Sequence, residues 1–438
     1  MDAQGVAAGA PRSSTRHEIG FWSIAYAYLV VMAVATVPSP LYGLYQQRDG
    51  FSTFTITLVF GSYALGTTSS LFLAGHLSDW HGRRRVLLPG LGLALASTVV
   101  FLVWRDLPGL YVGRILSGLS VGMVAATATA YITELHVQSR PGAPITRAQI
   151  AGTGVSVGGI GVGALVSGLI AQYVRTPLTI PYVVFLIALG VAVVLVTLTP
   201  ETRARAVPRP AYRPQRISVP DDARGQFFSA LGGATVAFAA LGLFTGLAGV
   251  FLVGTLHKTS LALSGGTVAA VFGGAVVMQF VTMAWSRRVA LLAGMSLMLV
   301  GLGLVVLAAW LPTPNLASFL AGGVLAGMGA GGVFKGSLGT VLTITAPEHR
   351  AEALAGLLLA GYVGLSVPAI GVGVALRSVT TKSTLLGFAI VEAVAILASA
   401  PAQLRARRRD VLVSAGSSPS PVAGGERAPA REIERRAS

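Results

Sequence analysis

Charged side chains are scarce in this sequence, so the few that stand between apolar runs are where its chemistry must be sought. The densest group is Gly75-His76-Leu77-Ser78-Asp79-Trp80-His81-Gly82-Arg83-Arg84-Arg85, which carries one carboxylate and three guanidiniums. Such groups make and break ion pairs, and Gly82 can take the positive φ that a tight reversal needs. Glu134 adds a second carboxylate, at the end of an apolar run. Three further charges interrupt apolar stretches, namely Arg114, Lys335 and Glu392. A charge within hydrocarbon needs a partner or a function. Arg114 either bonds a neighbouring helix or snorkels to the nearer surface, and Lys335 either lines a cavity and attracts an anion or snorkels. Glu392 is either neutral, paired or a proton carrier.

None of this is bond-breaking chemistry. No nucleophile, base and orienting group converge, no Gly-x-x-x-x-Gly-Lys-Ser/Thr loop for a nucleotide occurs, and cysteine is absent, so an enzyme or ATP-driven pump is not expected. Neither a cofactor nor a metal is expected, because isolated loop histidines such as His76 and His81 are ordinarily just solvated.

The elements that position these charges follow from hydropathy. Of 438 residues, 53% are hydrophobic and 11% charged, the balance of a polytopic membrane protein. Twelve runs reach or approach the roughly 20 apolar residues that cross about 30 Å of hydrocarbon. The first six are Phe21 to Tyr45, Phe54 to Ala74, Val86 to Trp104, Leu110 to Ile132, Ile150 to Val174 and Ile180 to Leu198. The second six are Phe227 to Thr255, Leu261 to Trp285, Val289 to Leu311, Leu316 to Thr340, Ala353 to Leu376 and Ser383 to Ala400. The expected organisation is a polar tail over 1–19, a six-helix bundle over 20–199, an Arg/Pro-rich linker over 200–226, a second bundle over 227–402 and a basic, disordered tail over 403–438.

With both termini placed in the cytoplasm, 24 of the Lys and Arg residues fall inside, six outside and two within spans. This obeys the positive-inside rule for a multi-pass chain with the lipid bilayer as partner and explains the +16 net charge without nucleic acid, while abundant Arg and Ala with three lysines fit a bacterium and hence its inner (cytoplasmic) membrane. An internal repeat relates the halves: Gly154 to Gly163 matches Gly364 to Gly373 at seven of ten positions, offset by 210, and Arg140 and Arg350 share that offset. Duplicated bundles hold a site near the midplane between them.

Large polar-tipped residues inside spans are cavity candidates: Tyr26, Tyr63, Gln279 and Tyr362, together with Lys335. Pro38 and Pro40 should break the first helix near its outer end, with Tyr42 and Tyr45 in the aromatic belt. No acidic residue occurs in the first or seventh span.

The spacing Gly75-x-x-x-Asp79-x-x-Gly82-Arg83-Arg84, after two spans, resembles the loop signature between the second and third helices of the major facilitator superfamily of secondary transporters. Gly113-Arg114 to Gly118 and Gly122 resembles its fourth-helix motif, Pro200-Glu201-Thr202-Arg203 its sixth-helix signature, and Gly159 to Gly168 the glycine-rich motif of drug/proton antiporters, with Ala164 in place of Pro and Ser167 in place of Gly. The resemblance implies an all-α fold of 12 transmembrane helices in two pseudo-symmetric six-helix bundles. It implies a conformational latch of Gly75, Asp79, Gly82, Arg83, Arg84 and Glu134 and coupling through Arg114, and it makes the twelfth span peripheral, so that Glu392 is a coupling candidate on its own chemistry; the small residues Gly118, Gly122, Gly159, Gly163 and Gly168 also suit close helix packing. The implied function is secondary transport of a small-molecule substrate by alternating access, as proton-coupled export by a monomer. Uptake of a polar or anionic metabolite, by a symporter or a facilitator, is the alternative within transport. A non-transporting receptor or scaffold is the alternative outside it.

Overall fold

A backbone in lipid must satisfy its own N–H and C=O groups, and long apolar runs do so as helices. The computed structural model describes residues 10–74, 77–203, 223–345 and 349–404, and among them twelve helices are long and apolar enough to cross a membrane. In order the helices are α1 (Ala10–Val34), α2 (Tyr42–Asp49), α3 (Thr53–Ala74), α4 (Leu77–His81), α5 (Arg83–Val103), α6 (Leu107–Ser139), α7 (Thr146–Tyr173) and α8 (Ile180–Leu198). After residues 204–222 come α9 (Arg224–Gly254), α10 (Leu261–Val281), α11 (Arg287–Trp310), α12 (Leu316–Ile344), α13 (Arg350–Ala375) and α14 (Thr381–Leu404). α1 begins within the expected tail, and most of the linker and of the C-terminal tail lies outside the described residues.

The chain forms two six-helix halves. The first crossing is interrupted, as Pro38 and Pro40 require: a turn follows Val34, and a 3-10 turn over Ser39–Leu41 leads into α2. This bend carries Tyr42 and Tyr45 into the first half. Both are buried, and the Tyr45 hydroxyl lies 3.1 Å from that of Tyr182. They are therefore interior residues and not an aromatic belt; the proline break redirects the chain inward where a straight helix would have met the interface.

Helices in lipid gain little from burying apolar surface against one another, so close backbone approach carries the packing. Along the α3–α6 seam, a side chain at Gly118 would meet the Tyr63 carbonyl, and one at Gly122 would meet Ser70 and the Thr67 carbonyl. Gly159 and Gly163 of α7 sit equally close to the Leu29 and Ala33 carbonyls of α1. Gly168 instead faces Leu261 and Gly265 of α10, in the other half. The two halves meet along α7–α10 and α3–α13. α8 and α14 turn apolar side chains such as Ile187, Val194, Val391 and Leu397 outward to lipid.

Candidate functional site

Three features define the site: a polar clasp at one end, a cavity between the halves, and a seal at the opposite end. The clasp is built where α4 turns into α5. Gly82 makes the turn at φ +98°, and its backbone would strain any other residue. Arg83 then points into the half, where Nη2 donates to Glu134 Oε1 of α6 at 2.8 Å, Nε donates to the same carboxylate and Nη1 donates to Ser78 Oγ at 2.7 Å. The Thr202 hydroxyl donates to Glu134 Oε2 at 2.6 Å, and the Arg203 guanidinium stands 3.9 Å from Oε1. The pair is largely withdrawn from water, with 6% of the Arg83 and 27% of the Glu134 side chain exposed. It is therefore screened far less than a surface ion pair.

A reciprocal helix-end exchange braces this pair. The backbone amides of Arg83 and Arg84 donate to the two oxygens of Glu201 at 2.8 and 3.0 Å, so a carboxylate caps the positive end of α5. Arg84 Nη1 donates in return to the Thr197 and Thr199 carbonyls, placing a cation at the negative end of α8. Gly75 and the Asp79 side chain lie outside the described residues, so of the expected latch the structure brings together Gly82, Arg83, Arg84 and Glu134. Glu201, Thr202 and Ser78 join them, although the sequence assigned them no position there. The signal for Glu201 and Thr202 was the Pro200-Glu201-Thr202-Arg203 motif, and for Ser78 its place in the Gly75 to Arg85 stretch.

The cavity, about 530 Å³, runs between the halves from Arg114 to Ser78 and Arg83 of the clasp. Tyr63, Gln279 and Tyr362 line it, as expected. Tyr26 does not: its hydroxyl donates to the Ala188 carbonyl of α8, at 3.3 Å. Tyr28, two residues on and therefore on the opposite side of α1, lines the cavity in its place and donates to Ser156 Oγ at 2.8 Å. Lys335 is also absent from the lining. Its ammonium donates to the Gln279 carbonyl at 2.8 Å and to Thr282 Oγ1 at 3.2 Å, where α10 tightens into a 3-10 turn and its last carbonyls need donors. Lys335 thus spends its ammonium on the end of α10, beside the cavity-lining Gln279.

Arg114 does not snorkel either. Only 1% exposed, it donates from Nη1 to the Ala35 carbonyl at 2.6 Å, just past the end of α1, and its guanidinium lies over the Tyr63 ring at 4.8 Å and the Phe60 ring at 5.6 Å. From Tyr63 an edge-to-face row of rings crosses between halves through Tyr362 (6.2 Å), Phe238 (5.9 Å) and Phe334 (5.2 Å). Glu392 lies elsewhere. It is buried on α14, which packs on α9 and α11 away from the cavity, and its Oε2 has no hydrogen-bond partner.

At the end away from the clasp the halves are joined. Gln172 Oε1 of α7 accepts from the Leu261 amide at 2.8 Å and from Ser260 Oγ at 3.2 Å, capping α10 across the boundary. Arg377 lies over the Phe54 ring at 5.5 Å, and a side chain at Gly373 would strike Thr57. The cavity is therefore sealed at this end.

A profile of the Major Facilitator Superfamily matches residues 24–293. The arabinose-proton symporter of Bacillus subtilis is 33% identical over 92 residues, 21% of this chain and 20% of that protein. The cephamycin export protein CmcT of Amycolatopsis lactamdurans is 29% identical over 147 residues, 32% of this chain and 29% of that protein. Both matches thus span less than a third of the relative's length. Among solved structures, a bacterial homologue of the human lysosomal transporter Spinster, in an inward-facing and unoccupied conformation, shares the fold with a TM-score of 0.63 at 15% identity, covering 91% of this chain and 99% of the other.

Proposed function

This chain belongs to the Major Facilitator Superfamily, and we propose that it is a secondary transporter that exports a small organic solute in exchange for protons, as a monomer in the bacterial inner membrane. The observation that carries transport is the cavity between two halves, sealed at the Gln172 end and reaching the clasp at the other. A space shut on one side and bounded by two separately packed bodies can change sides by rocking them. The excess of Lys and Arg in the loops at the clasp end supports placing that end, with both termini, in the cytoplasm. In this state the site faces inward.

Export is supported by the largely apolar lining and by the likeness to the cephamycin export protein. Arg114 and Glu392 are the coupling candidates, in different roles. A guanidinium does not give up its proton, so Arg114 would position, while the buried Glu392 carboxyl can bind and release one. The clasp of Arg83 and Glu134, with Asp79, would bias the two states. Uptake is the second reading, favoured by the unpaired charge of Arg114 on the cavity and by the likeness to the arabinose-proton symporter.

Proteoliposomes loaded with a pH-sensitive dye test the assignment, with cephamycin and arabinose as first probes. Exchange predicts that solute and protons move in opposite directions under an imposed gradient, and symport that they move together. Asp79→Asn should reduce turnover with the protein still folded in the membrane. Unchanged flux would remove Asp79 from the latch.

A further inference from the structure

We propose that the Arg114 end of the cavity is an anion subsite and that the solute is an amphipathic organic anion, its acidic group at Arg114 and its flat apolar body along the aromatic row. This rests on the transport reading and gives its solute a chemical class. Two cations, Arg83 and Arg114, line the cavity, and no carboxylate does among the described residues. Arg83 is neutralised by Glu134. Among the described residues Arg114 pairs with no acidic side chain: one backbone carbonyl and two ring faces attend it, and its Nε, buried within the protein, has no acceptor.

A buried charge without a counter-charge is costly, and a guanidinium offers more donors than one carbonyl can use. Its fork geometry matches a carboxylate, phosphate or sulfonate oxygen pair. A cation would meet the same field as repulsion, and would find no acidic partner along the lining. Beside Arg114 the Tyr63 ring opens the row through Tyr362 and Phe238, which gives a planar apolar body a face from each half to lie against. The counter-charge could come from the solute's acidic group or from an inorganic anion such as chloride, and the test separates the two.

Binding to the purified full-length chain is measured calorimetrically in detergent for naphthalene-2-carboxylate, the neutral 2-naphthamide and the cationic 2-naphthyltrimethylammonium, with chloride present or replaced by isethionate. The carboxylate should bind at least about tenfold more tightly than the amide, about 1.4 kcal/mol, and the ammonium should not bind. Arg114→Gln should erase the carboxylate preference, and Arg114→Lys should keep part of it. If Arg114→Gln does not fold, the three wild-type affinities decide. Equal binding of carboxylate and amide, or preference for the ammonium, would overturn the proposal. So would chloride binding that leaves the three organic probes undistinguished. Binding requires no flux, so tight carboxylate binding without transport in liposomes would defeat the transport reading and leave the subsite standing.

Discussion

The two halves carry equivalent turns at the same end of the molecule and hold them with different chemistry. In the first half Arg83 opens α5 and meets Glu134 on α6; in the second Arg287 opens α11 and meets Thr340 on α12, with Nη1 donating to the hydroxyl at 2.6 Å. The same contrast recurs one repeat apart. Arg140 is paired with Glu18 at 3.1 Å, whereas its counterpart Arg350, among the described residues, donates to the Thr345 carbonyl, at 3.4 Å. Each guanidinium thus has a counterpart in the other half, and among the described residues only those of the first half meet a carboxylate. The first half is fastened by ion pairs and by Glu201 across α5 and α8, while in the second, among the described residues, these guanidiniums donate to uncharged oxygens. This difference gives the first half the denser set of paired charges at this end.

The largest effect should come from cutting the ionic side. Arg83→Gln leaves Glu134 partly buried without its principal cation and should cost about 3 kcal/mol, while Arg287→Gln loses a guanidinium–hydroxyl bond worth about 1.5 kcal/mol. Thermal unfolding in detergent measures the gap, and equal losses would break the comparison. Next, Thr340→Asp supplies the second half with the missing carboxylate. Paired with Arg287, it should raise the unfolding temperature by a few degrees, for roughly 1 kcal/mol gained, and slow turnover in liposomes severalfold. Faster turnover would show that the hydroxyl contact does not serve motion.

Glu201→Gln removes the charge from the start of α5 but keeps one acceptor, and should cost about 1 kcal/mol in the same unfolding assay. The smallest change is Thr202→Ala. It removes one hydroxyl donor from a carboxylate that keeps Arg83, and should cost roughly 0.5 kcal/mol. If Thr202→Ala exceeded Glu201→Gln, the brace between α5 and α8 would not be what holds the clasp.

The architecture was legible because it depends on quantities a sequence states directly. Unbroken apolar length gives the crossings, and the sorting of Lys and Arg gives their alternation. Gly82 was legible for the same reason, since its place between charged residues demanded a reversal. What escaped was the direction in which a side chain leaves its helix. A membrane helix is apolar all round, so periodicity that would separate the inner from the outer face of a soluble helix is missing. Nothing in the pattern therefore separates Tyr26, taken as the cavity candidate, from Tyr28, the one of the two that meets the cavity. Tyr42 and Tyr45 had the depth of a belt and the orientation of a core. Lys335 and Glu201 were unreadable for another reason: their partners, backbone groups at the ends of α10 and α5, lie 56 and 118 residues away in sequence.

Absence of native cysteine makes the central claim, that the halves rock about one cavity, directly measurable. Spin labels at Tyr173 and Lys258 report the sealed end, and labels at Ile145 and Met283 report the clasp end; all four positions are exposed. As the purified protein in nanodiscs is driven between states by a saturating transported solute, the first distance should lengthen as the second shortens. Transport with both distances fixed, or with both changing in the same sense, would contradict the account.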